Sequence, residues 1–185
     1  VSTNGAMAET HKSSHPDDVT IIRESCVTPK STAQKLRQMG YYWWSENDRI
    51  EVQNKNVSDA VKLTPLALDN LDKAIASLNK YARTCSQYLF NPSQDNKVIE
   101  EIYSQGGRAQ SDSTLALTYT ENALIKLKSI YQASPKDPPI RRGDIEKNCQ
   151  KAVKASVELL GKKKNQLDFL AIETSKCAAP SSERR

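Results

Sequence analysis

Histidine is almost missing from this chain. Only His11 and His15 occur among 185 residues, and both fall in a polar opening stretch. A folded body without imidazole has no base for a Ser-His-Asp or Cys-His mechanism. The phosphate-binding patterns G-x-x-x-x-G-K-S/T and G-x-G-x-x-G are missing too. Adjacent acids such as Glu100-Glu101 do not face a common substrate, so a glycosidase-like pair is not read from them. The chain is therefore not expected to be an enzyme. Cysteine is limited to Cys26, Cys85, Cys149 and Cys177, with no C-x-x-C spacing. Scattered thiols without histidine do not make a zinc site, so neither metal nor cofactor is expected. Six glycines and eight prolines are too few for a low-complexity chain. No apolar run approaches the ~18 residues that span a bilayer, so no transmembrane segment is expected.

What is there is a modest apolar fraction, 37%, placed periodically. The length suits one domain able to bury a core without help from disulfides. The organisation expected is a flexible arm over residues 1–25, a helical bundle over 26–179 and a flexible tail over 180–185. The net charge is +5. Residues 1–140 hold 16 basic and 16 acidic side chains, while residues 141–185 hold 11 and 6. The whole excess sits in the last quarter.

The spacing predicts four long helices and one short one. Thr28-Pro29 has the form of a helix start, with Thr at the N-cap and Pro at the first helical position. Leu36, Trp43, Ile50 and Val57 then recur every seven residues. Thr64-Pro65 repeats the start signal, and a second helix follows through Leu68, Leu71, Ile75, Leu78, Ala82, Cys85 and Leu89. Asn91-Pro92-Ser93 ends it, because a residue before proline avoids the helical region. A short helix precedes an expected break at Gly106-Gly107. The next long helix, near residues 113–131, takes Leu117, Leu124, Leu127 and Tyr131 as its stripe, with Thr120 at the edge. A last helix of about 35 residues starts near Asp144 and keeps register through Gly161, from Ile145 and Cys149 to Thr174 and Cys177. The fold class is all-α, an amphipathic helical bundle.

An even number of well-spaced cysteines fits two disulfides and an oxidising compartment. Cys149 and Cys177 share one face of the last helix but lie ~42 Å apart along it, so they do not bond each other. Each needs Cys26 or Cys85. Simple up-down threading leaves Cys149 at the opposite end from the other three, a crossing by residues 91–111 leaves Cys177 there instead, and the connectivity stays open.

Three surface features are candidates for function. Tyr41, Tyr42, Trp43 and Trp44 are four successive aromatics out of 11 in the chain. They sweep ~300° around a helix, so one face cannot hide them all. Trp43 falls on the apolar stripe, and neighbouring elements are the simplest cover for the others. Tyr41, Tyr42 and Trp44 are the residues that would form a partner-binding patch. Lys147, Lys151, Lys154 and Lys162 align opposite the apolar stripe of the last helix, extended by Lys163 and Lys164 and interrupted by Glu158. That basic face is first a solvated surface. Contact with an anionic surface is the alternative, and nucleic acid is not expected without a recognised fold signature. Asn56-Val57-Ser58 matches a glycosylation sequon, although Val57 also belongs to the apolar stripe.

These features point to a non-enzymatic periplasmic or secreted protein that acts by binding another protein. A secretion accessory, an inhibitor or immunity factor, and a virulence-linked factor are the roles weighed. A small-ligand receptor with a pocket between helices near Trp43, and a secreted four-helix signalling ligand, are the alternatives.

Overall fold

The computed structural model describes residues 22–26, 44–92, 95–132 and 143–178, with the backbone alone described at 44–53, 131–132, 143–147 and 178. The described residues form helices and no strand, the all-α architecture that the periodicity predicts. Residues 22–26 are helical and are labelled α1. Three long helices follow: α2 (Trp44–Phe90), α3 (Asn96–Gln132) and α4 (Gly143–Ala178). The predicted helix start near Thr28 and the stripe residues Leu36 and Trp43 lie outside the described residues.

Two expected boundaries are corrected. Thr64-Pro65 does not start a helix, since α2 runs through it for 47 residues. A mid-helix proline costs ~3 kcal/mol in a missing hydrogen bond and a steric clash. The apolar register explains why the helix survives. Val57, Ala60, Thr64, Ala67, Leu71, Ala74, Leu78, Tyr81 and Cys85 are all buried, at alternating spacings of three and four. Pro65 follows a buried position in this series and is itself only partly covered. Each large buried side chain contributes roughly 1.5–3 kcal/mol, so burial on both sides of Pro65 outweighs the local penalty. Likewise α3 continues through Gly106-Gly107, where a break was expected.

The ends of α2 and α3 follow local chemistry. The helix α2 stops at Phe90, just before Asn91-Pro92. Asp95 caps α3: its Oδ1 accepts from the Lys97 N–H at 3.0 Å, and its carbonyl accepts from Ile99 N at 3.2 Å.

The buried face of α3 is also corrected. Ala116, Thr120, Ala123, Leu127 and Ile130 are buried, whereas Leu117 is 36% exposed and Leu124 half-buried. Small residues let helix backbones approach closely, and the larger leucines are left at the flanks. Thr120, expected at the edge, is central, and its hydroxyl donates to the Ala116 carbonyl at 2.7 Å. The helix α4 keeps one register through Gly161, with Cys149, Val153, Ser156, Leu160, Leu167 and Thr174 buried.

The chain divides into two compact units, Val1–Leu66 with Glu121–Leu159, and Ala67–Thr120 with Leu160–Arg185. The first unit buries Ile22, Val57, Leu127, Ile130 and Val153. Ile22, assigned to the arm from the sequence, is fully buried there. Cys26 bonds Cys149 in this unit, with Cα atoms 4.7 Å apart, and Lys126 meets Asp59 at 3.2 Å. The second unit buries Leu68, Leu71, Leu78, Ala116, Leu160 and Leu167. Its disulfide joins Cys85 to Cys177, with Cα atoms 6.0 Å apart. All four cysteines are thereby bonded. The difficulty in threading the cysteines came from treating α2 as two helices. As one helix through Pro65, it carries Cys85 in the second unit while Cys26 belongs to the first.

Candidate binding groove

Tyr81 lies on the buried stripe of α2 and meets α3 at Gly106. A Cβ on Gly106 would stand 3.2 Å from both Cε2 and Cζ of the Tyr81 ring. The glycine therefore permits an approach that a side chain would crowd. Burial raises the Tyr81 phenol above its ordinary 10.0, and Tyr103 nearby pushes it further up.

Beside this contact the second unit holds a groove of about 810 Å³. Leu78, Tyr81 and Tyr88 of α2 form one wall. Ile99, Ile102 and Tyr103 of α3 form the second. Ala171 and Thr174 of α4 contribute the third, and the Cys85–Cys177 disulfide joins the first wall to it. Asn96, Gln110 and Ser113 add uncharged polar groups. None of the described residues lining the groove carries a charge, in a chain that is 26% Asp, Glu, Lys and Arg.

Two charged clusters of the unit lie outside this lining. Ser77 donates to Asp112 Oδ2 at 2.5 Å, and Lys73 lies 3.9 Å from the other carboxylate oxygen. Lys163 occupies a core-facing step of the α4 register and pairs with Asp72 of α2.

Tyr41, Tyr42 and Trp43 lie outside the described residues. Trp44 is the first residue of α2, and its side chain lies outside them, as does that of Lys147. Lys151 and Lys154 are exposed in the first unit, and Lys162 and Lys164 in the second. Lys163 differs from these in being engaged by Asp72. In the Asn56-Val57-Ser58 sequon, Val57 is fully buried within α2.

Sequence reasoning missed the groove. Its one local signal was the apolar cluster Ile99, Ile102 and Tyr103 just before the glycine pair, which read as a short helix and a break. It also missed the exposed apolar side chains. The chain has two phenylalanines, and both are on the surface, Phe90 at 93% and Phe169 at 62% exposure. Ile172, 68% exposed, stands one turn from Phe169 on α4.

Among the described residues no helix is long and apolar enough to cross a membrane, and no group of three His, Cys, Asp or Glu side chains is placed to hold a metal. The chain matches no protein-family model, no curated protein and no solved structure.

Proposed function

We propose that this chain is a non-enzymatic, exported protein that acts by binding another protein. The observation that carries the reading is Phe169 with Ile172, two large apolar side chains turned to solvent on one face of α4. Neighbouring exposed apolar side chains that form one patch are a feature of contact surfaces. Aromatic anchors contribute much of the energy of such contacts. Two disulfides support export, because such bonds persist in oxidising compartments.

The test is affinity capture from the source organism's extracellular fluid with the intact chain and with a Phe169→Ser, Ile172→Ser double variant. Both positions are mostly exposed, so the variant is expected to melt within a few degrees of the parent. A discrete protein captured by the parent and lost with the variant supports the reading. Identical capture by both, or capture by neither, overturns it.

A further inference from the structure

We infer that the groove of the second unit is a binding site for an uncharged, largely apolar small molecule carrying one or two hydroxyl or carbonyl groups. The inference stands apart from the protein-partner reading, since neither Phe169 nor Ile172 lines the groove.

Three features of the groove support this. The first is size and composition. A volume of about 810 Å³ falls within the roughly 300–1,000 Å³ common for small-molecule sites. Leu78, Ile99 and Ile102 supply apolar wall, and Tyr81, Tyr88 and Tyr103 supply aromatic surface with hydroxyls at their tips. The second is charge. A ligand carboxylate or ammonium held against the apolar wall would meet no opposite charge among the described lining residues, so any water it gives up there is not replaced. Neutral donors and acceptors fare better, because Asn96, Gln110, Ser113 and Thr174 can answer them.

The third is Gly107. Glycine inside a helix costs up to about 1 kcal/mol relative to alanine. Gly106 has a reason to be glycine, in the Tyr81 ring. Gly107 has none in the packing: a Cβ there would meet nothing within 4 Å. Yet Gly107 lines the groove. Gly107 is exposed, and the lack of a side chain there leaves this edge of the groove open.

The test uses the full disulfide-bonded chain and the neutral fluorescent probe N-phenylnaphthylamine, with decanol, decanoate and decylammonium as competitors. Gly107→Phe adds a ring at a groove-lining position where a Cβ meets no neighbour within 4 Å, and it removes a helix-interior glycine, so its melting temperature is expected to stay within a few degrees of the parent's. Gly161→Leu is the control, because Gly161 also has open space around it but does not line the groove. The expected result is saturable uptake of one probe per chain, displaced by decanol at concentrations about tenfold below those needed of either ion. Uptake is expected to weaken about tenfold or more in Gly107→Phe and to persist in Gly161→Leu. No uptake by the parent overturns the inference. Equal uptake by Gly107→Phe overturns the location, and equal displacement by decanoate or decylammonium overturns the ligand class.

Discussion

The ring of Tyr81 in α2 rests against the backbone of Gly106 in α3, where an added Cβ would come within 3.2 Å of two ring carbons. The next residue, Gly107, has open space where its Cβ would stand. Two neighbouring glycines in one helix are thus under opposite constraints. Gly107→Ala is expected to stabilise the protein by about 0.5–1 kcal/mol through helix propensity and the narrower unfolded ensemble. Gly106→Ala is expected to forfeit that gain, because the buried ring has to give way. Thermal melts should rank Gly107→Ala above the parent and Gly106→Ala at or below it. The opposite order would remove the close approach as the reason for Gly106.

Tyr81 also sets an alkaline limit. Its pKa is raised above 10.0, so the folded protein keeps this proton at pH values where the unfolded chain has released it. The unfolded state then binds fewer protons, and stability falls as pH rises past about 10. Below that pH the contribution is fully present. Tyr81→Phe should show a shallower alkaline loss in chemical denaturation followed across that range. An unchanged slope would assign the loss to other groups.

Thr64 is fully buried, and its Oγ1 has no hydrogen-bond partner among the described residues. Thr120 is also buried, but its hydroxyl is satisfied by the Ala116 carbonyl. Val has nearly the shape of Thr in both places. Thr64→Val is expected to stabilise by about 1 kcal/mol, since an unpaired buried hydroxyl costs roughly 1–3. Thr120→Val is expected to be neutral or destabilising by up to about 1 kcal/mol. Urea midpoints of the two variants, compared with the parent, check the sign of each.

The two disulfides close chain separations of 123 and 92 residues. Loop-closure entropy for loops of this length is about 4–5 kcal/mol each, with measured effects more often about 2–4. Replacing Cys85 and Cys177 together by serine should therefore lower stability by several kcal/mol, a large part of a typical domain's total. Replacing Cys26 and Cys149 should cost a similar amount, because the entropy depends only on the logarithm of loop length. Peptide mapping without reductant should recover the pairs Cys26–Cys149 and Cys85–Cys177. Any other pairing would contradict the division of the cysteines between the two units.

The amino-acid sequence by itself determined the secondary structure class and much of its phase. Apolar residues recurring every three or four positions define a helix locally, whatever surrounds it. That is why α4 was legible from Cys149 to Cys177 and why α2 could be seen to end before Pro92. Tertiary structure decided the continuity of α2 across Pro65 and of α3 across Gly106-Gly107. Each interruption carries a local penalty of a few kcal/mol at most, and burial against other helices, which no single window of sequence displays, exceeds it. Tertiary structure also turned α3 onto Ala116, Thr120 and Ala123, because side-chain size in a sequence does not reveal how closely two helices approach. The groove needed three helices at once, with walls running from residue 78 to residue 177. Its lack of charge is a property of an assembled surface, and it becomes visible only when those distant residues stand side by side.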